Sequence, residues 1–317
     1  MPSTLTRRRF VQAAALLPVA SRVAAAEPTP AASSATAAEP AARLKLSLNA
    51  FCFNDLLLAG VGGKSPGFSL FDVLEFCAKN DFEAIDPTGY YFPGYPGVPT
   101  DEFINEFKRR AFRLGLDISG TGIRNDFAQP DAAKRADDVR RAKAWIEVAA
   151  KLGAPVIRVF AGAVPKGYEN DWDTPAKWLV ECLQACVEHG KKFGVIVGVQ
   201  NHGDMLRNAD QCLAIARRID SPWFGLIVDT GNMMVADPYA DLARVVPHAV
   251  NWQVKESPRG PDSPERTDLP RLVRLIKAGG YRGYIPIETL APHGRPYDPF
   301  AIVPPFAAEV RAAMVTA

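Results

Sequence analysis

The sequence predicts an α/β chain folded as a single-domain (β/α)8 TIM barrel over residues 44–317. Short β-branched runs alternate with longer amphipathic runs from Leu44 onward, eight of each can be placed, and polar side chains recur at the C-terminal ends of the later strand candidates. With 317 residues, 48% hydrophobic and 23% charged, the chain has ordinary globular composition and length for one large core. The formal net charge of +2 leaves no broad basic field, which argues against nucleic acid as a partner.

The first forty residues stand apart. Thr6-Arg7-Arg8-Arg9-Phe10-Val11-Gln12 places paired arginines before an apolar stretch, Ala13 to Ala20, which ends near Ala24-Ala25-Ala26. This pattern predicts a twin-arginine signal peptide over residues 1–26, cleaved before Glu27, and hence a periplasmic or secreted protein. The competing reading, an amphipathic helix packed on the domain, lacks the charge spacing it needs. A membrane span needs ~20 apolar residues, so no stable membrane anchor is expected. Residues 27–43, rich in Ala, Pro, Ser, Thr and Glu, read as a disordered Ala/Pro-rich linker that buries too little apolar surface to order.

In chain order the strand candidates are Lys45–Asn49, Ala84–Asp86, Asp117–Gly120, Val156–Phe160, Val195–Gln200, Phe224–Asp229, Asn251–Lys255 and Ile285–Glu288. Helix candidates lie near 69–79, 101–114, 131–152, 174–193, 208–218, 238–245, 268–278 and 299–314. Several stop at glycine, as at Gly153, Gly194 and Gly279-Gly280, where a left-handed residue ends the helix. A helix after every strand favours a closed barrel over an open doubly wound sheet, and no glycine-rich fingerprint follows the first strand. The cysteines (Cys52, Cys77, Cys182, Cys186, Cys212) match no zinc or disulfide pattern and read as small buried hydrophobes.

A buried parallel strand wants apolar residues on both faces, so a polar residue at its C-terminal end needs a reason. The fifth, sixth and eighth strands end in Gln200, Asp229 and Glu288 and the seventh carries Gln253, positions that converge across the top of a barrel. Oxygen donors in that arrangement suit a hard divalent ion such as Mn²⁺ or Mg²⁺, with Co²⁺ or Zn²⁺ as further options. Each residue taken alone also suits loop capping.

On these residues, and on the closing run Ala278-Gly279-Gly280-Tyr281-Arg282-Gly283-Tyr284-Ile285-Pro286-Ile287-Glu288, the chain from about residue 45 onward resembles the xylose isomerase-like TIM-barrel superfamily. That superfamily contains sugar isomerases and epimerases, inosose dehydratases, hydroxypyruvate isomerases and endonuclease-IV-type enzymes. The resemblance implies a sugar or polyol isomerase or epimerase, or a related keto-sugar lyase or dehydratase. It also implies a divalent-metal shell of Glu, Asp, His or Gln, and Glu on successive strands, the two glutamates exchanging protons with substrate. Asp229 and Glu288 match directly, and Gln253 matches the subgroup with Gln in place of His. Gln200 departs, because it stands where the first Glu is usual. An amide is neutral and cannot act as a proton-transfer base, so metal affinity should fall and a two-base epimerisation loses one partner.

Glu288 is then the remaining base. His202 and Lys255, just beyond Gln200 and Gln253, are candidates for the partner acid or for orienting a sugar hydroxyl, against the plainer readings of a bonded loop histidine and an ion-paired lysine. Arg158, on the fourth strand, is placed to face a substrate oxygen or Asp229, and His293 is placed to contribute from the loop after Glu288. Residues 86–96 include Tyr90 and Tyr91, and with Phe51 and Phe53 they predict an aromatic mouth suited to an uncharged small-molecule sugar, polyol or glycoside. A packed loop plugging the barrel edge is the alternative. The rival functions are a non-catalytic or metal-free sugar-binding barrel, which Gln200 favours, and an endonuclease-IV-like phosphodiesterase, for which four histidines (His189, His202, His248, His293) are too few. The chain is compatible with a homo-oligomer.

Overall fold

Parallel pairing of short, β-branched strands organises the molecule. The computed structural model of the chain describes residues 43–61, 67–203 and 205–317. The expected signal peptide, and the expected linker up to residue 42, lie outside the described residues. Among the described residues no helix is long and apolar enough to cross a membrane.

The strands are β1 (Leu44–Asn49), β2 (Ala84–Asp86), β3 (Asp117–Ile118), β4 (Thr121–Gly122), β5 (Val156–Phe160), β6 (Ile196–Gln200), β7 (Phe224–Asp229), β8 (Ala249–Gln253) and β9 (Gly283–Ile287). They pair in the orders β3-β2-β1-β9 and β4-β5-β6-β7-β8. Two parallel bridges, Thr88 to Gly122 and Val254 to Ile287, join the two runs into a ring. The barrel is therefore closed, and every strand points its C-terminal end at the same mouth.

The sequence predicts one unbroken third strand from Asp117 to Gly120, and it divides instead into β3, paired with β2, and β4, paired with β5. The break falls where polar side chains cross the barrel interior. Ser119 Oγ lies 2.7 Å from Ser47 Oγ. A Cβ at Gly120 would come within 2.9 Å of Asn251 Nδ2 and 3.0 Å of Asp86 Oδ2. Only glycine fits there, and glycine weakens a strand.

Helices α1 (Asn54–Val61), α2 (Leu70–Lys79), α3 (Asp101–Arg113), α4 (Ala132–Leu152), α5 (Asp173–Phe193), α6 (Ala209–Ala216), α7 (Pro238–Val245), α8 (Leu269–Ala278) and α9 (Pro299–Thr316) accompany the strands. Local chemistry marks their ends. Asp131 accepts from the N–H groups of Ala133 and Lys134 at the start of α4, and left-handed Gly153 ends it. The short α1 is not among the helices the sequence predicts, since its apolar face is half exposed (Leu56, Leu58 and Val61) and carries no core periodicity. Along β1, Leu46 and Leu48 alternate with Ser47 and Asn49, whose side chains bond across the ring to Ser119 and Gln253. All five cysteines are buried and free, as the spacing predicts.

Candidate active site

The barrel mouth opens into a cleft of about 770 Å³ whose walls include Asn49, Tyr90, Arg158, Gln200, His202, Lys255 and Glu288. Strand register brings the key residues together. Gln200 and Asp229 close β6 and β7, Gln253 is level with Asp229 on β8, and the N–H of Glu288 donates to Val254 O at 2.9 Å just beyond β9.

Lys255 is the hub of this group. Its buried ammonium donates to Glu288 Oε1 and lies 3.5 Å from Asp229 Oδ2. Asp229 has no exposed surface, and each of its carboxylate oxygens is engaged: Oδ2 accepts from Gln200 Nε2 at 2.6 Å and Oδ1 from the Gly231 N–H at 2.9 Å. Asn201 grips the same residue's backbone, donating to Asp229 O at 2.9 Å and accepting from Asp229 N at 2.7 Å. Gln253 Oε1 accepts from Asn49 Nδ2 at 2.9 Å, so its oxygen is turned to the first strand.

The expected shell Gln200, Asp229, Gln253 and Glu288 thus converges as residues but does not fit a divalent cation. Gln200 presents donor hydrogens to Asp229, Gln253 has its oxygen engaged, and an ammonium already stands between the two carboxylates. A divalent ion about 4 Å from that ammonium would meet a repulsion of about 8 kcal/mol at an effective dielectric of about 20. Among the described residues no cluster of three or more His, Cys, Asp or Glu side chains is spaced to hold a metal.

Burial tunes the titratable groups. It pushes the Glu288 carboxyl above its ordinary range, with Lys255 opposing and Asp229 reinforcing the shift. It lowers His202, whose ring packs 4.8 Å from that of Phe160, against a smaller upward pull from Asp229. Asp86, at the end of β2, is pushed up to about 7 by burial, with Arg158 opposing and Glu288 adding to the rise. Asp86 is not among the site residues read from the sequence, even though it obeys the strand-end rule that singles out the later ones.

Among the expected sugar contacts, Tyr90 and Arg158 line the cleft and meet each other. Arg158 Nη2 donates to the Tyr90 hydroxyl at 2.8 Å and Nη1 to Ile123 O at 3.1 Å, so neither bond goes to Asp229. Three expectations are corrected. Phe53 is 1% exposed and packs on Phe68, Phe76 and Phe300, since a tight helical turn after β1 sends Phe51, and not Phe53, to the cleft. Tyr91 follows Tyr90 in another tight turn and faces the other way, its hydroxyl donating to Asn54 Oδ1 at 2.9 Å. The His293 side chain is 90% exposed and pairs with Asp262 outside the cleft. The cleft also recruits Arg124, Asn125, Asn232 and Arg259 from loops, where no periodic signal marks a residue as functional.

A closed parallel barrel with acidic, amide and cationic side chains at its C-terminal mouth has the layout in which (β/α)8 barrels carry their active sites. The family model described as xylose isomerase-like TIM barrel matches residues 74–309, and the chain belongs to that family. The 3-keto-D-glucoside 4-epimerase of E. coli superposes with a TM-score of 0.68 at 14% identity, over 85% of this chain and 100% of that one. D-psicose 3-epimerase from Clostridium cellulolyticum H10, solved with D-tagatose, gives 0.65 at 16% identity, over 86% and 97%. Identities this low show a shared fold. The alpha subunit of 3'-dehydrocarminate deglycosidase from Microbacterium sp is 24% identical over 190 residues, 58% of this chain, and the match spans about half (48%) of that relative's length.

Proposed function

We propose that this chain is a sugar isomerase or epimerase, or a related lyase, that binds a neutral keto-sugar or keto-glycoside in the barrel mouth and moves a proton beside the carbonyl. The observation that carries the proposal is Glu288, a buried carboxyl with a raised pKa at the floor of the cleft, facing a fixed ammonium. Proton abstraction beside a carbonyl needs a base within reach of the carbon and a positive group for the oxygen. Glu288 and Lys255 supply both. Arg158, Tyr90 and His202 line the same cleft and are suited to gripping hydroxyls. Phe51, Tyr90 and Phe160 give the cleft aromatic walls suited to the apolar face of a neutral sugar ring. The names of the relatives favour a ketone substrate: the E. coli enzyme acts on a 3-keto-D-glucoside, and the Microbacterium subunit belongs to an enzyme named for a 3'-dehydro compound.

The test is proton exchange in D₂O, followed by nuclear magnetic resonance on 3-keto-glucosides and on ketohexoses. Deuterium entering the carbon beside the carbonyl, and absent with Glu288→Gln, is the expected result. A second reading, a sugar-binding barrel without turnover, is favoured by the neutral amide of Gln200, and sugar binding with no exchange would establish it. The arginine pair near the N-terminus supports an exported location, checked by recovery of the processed chain from the periplasm.

A further inference from the structure

We propose that the Lys255 ammonium takes the place of a divalent cation in this barrel, so that the cleft polarises its carbonyl substrate without metal. The inference rests on the keto-sugar reading for its chemistry, and on the geometry alone for its claim about metal.

The lysine is built in from three sides. Its stem runs past Gly231, where a Cβ would come within 2.9 Å of Lys255 Cγ and 3.4 Å of its Cβ. Gly231 has no positive φ to explain the glycine, so the missing side chain serves as space for the lysine. The Lys255 backbone is pinned on both faces, its N–H donating to Thr230 Oγ1 at 2.9 Å and its carbonyl accepting from Thr267 Oγ1 at 2.8 Å. The ammonium then meets Glu288 and Asp229, and Gln200 fills the remaining side of Asp229 with a neutral donor. Burial costs the ammonium its hydration, and the two carboxylates beside it offset that cost. A neutral amide at position 200 matches the presence of one permanent cation in the cluster. Two carboxylates suffice for one ammonium, whereas a divalent ion beside that ammonium would need more.

Charge balances through the reaction. Glu288 takes the proton from the carbon beside the ketone, the C–H electron pair becomes the enolate C=C bond, and the negative charge reaches the oxygen facing Lys255. Return of the proton by Glu288 restores the sugar; a proton from water on the opposite face inverts that carbon while Glu288 releases its own to water; and delivery to the former carbonyl carbon shifts the carbonyl along the chain as the neighbouring hydroxyl proton passes to the enolate oxygen. No oxidant or reductant is consumed.

The experiment titrates Mn²⁺ into the full chain and reads free and bound metal by electron paramagnetic resonance. The wild-type protein should leave Mn²⁺ free to millimolar concentration. Lys255→Ala combined with Gln200→Glu, checked for folding by circular dichroism, should bind one equivalent at least ~100-fold more tightly. Stoichiometric micromolar Mn²⁺ binding by the wild type, lost in Asp229→Asn, would overturn the proposal whatever the variants do. A second readout is deuterium exchange into the keto-sugar: indifference to EDTA in the wild type supports the proposal, and loss of exchange with EDTA refutes it. If no sugar is exchanged at all, the functional reading fails while the Mn²⁺ titration still decides the claim about metal.

Discussion

Replacing Gln200 with Glu is the most direct probe of the electrostatics at the barrel mouth. In the native cluster Gln200 Nε2 donates to Asp229 Oδ2 at 2.6 Å, and both groups are buried. The substitution puts a carboxylate oxygen where that donor stood, so a charge-assisted hydrogen bond becomes a contact between two anions. At 2.6 Å and an effective dielectric of about 20, their repulsion is about 6 kcal/mol. Lys255 offers little relief, because its ammonium is already shared between Glu288 and Asp229. Side-chain relaxation absorbs part of the repulsion, leaving about 3 kcal/mol, or roughly 5–10 °C in Tm for a domain of this size. The new carboxyl should have a raised pKa in the folded state, so its stability is retained in acid and lost as pH rises through that value. Thermal unfolding followed by circular dichroism at pH 5 and pH 8 tests this: the Tm deficit should be large at pH 8 and small at pH 5. Equal melting of variant and wild type at both pH values would refute the charge arrangement.

Other perturbations address separate contacts. Asp86, pushed up to about 7 against an ordinary 3.8, binds its proton more tightly in the folded chain, so its contribution is intact below pH 3.8 and is lost as pH rises toward 7. The loss is about 4 kcal/mol as an upper bound, and Asp86→Asn should therefore raise Tm at pH 8 while changing it little at pH 4; equal destabilisation at both would contradict the assignment. Gly231→Ala drives a methyl group against the Lys255 stem and should cost about 1–3 kcal/mol of stability in urea unfolding, together with most of the proton-exchange rate. A Gly231→Ala variant that stays fully active and fully stable would show that the lysine stem does not need the space. Tyr90→Phe strips Arg158 of a buried partner and should weaken sugar binding measured by calorimetry about tenfold, with unfolding free energy reduced by about 1–2 kcal/mol.

The strand and helix rhythm is legible because backbone pairing and amphipathic faces repeat locally. Five strand candidates end on the observed C-terminal residue, at Asn49, Asp86, Phe160, Gln200 and Asp229. The same alternation rule locates Gln200, Asp229, Gln253 and Glu288, and all four do meet at one end of the barrel. Asp86 is legible by that rule too, although its strand is only three residues long and the aromatic run after it is the stronger local signal. The tight turns are not legible. One or two residues of rotation decide that Phe51 and Tyr90 reach the cleft while Phe53 and Tyr91 enter packed surroundings, and no periodicity specifies that rotation.

Residue type and strand position are properties of the chain, and they are enough to define a closed α/β barrel with a polar mouth. Which partner each polar group takes is a property of three dimensions. An oxygen donor set and an amide–carboxylate–ammonium cluster read alike along the sequence, since Lys255 lies only two residues beyond Gln253 and its side chain is long enough to reach several neighbours. The glycine at 231, the threonines that pin the lysine backbone, and Asn49 turning Gln253 aside come from distant segments. Their convergence places a fixed ammonium between two carboxylates, because a buried charge settles where opposite charge and hydrogen bonds repay its lost hydration.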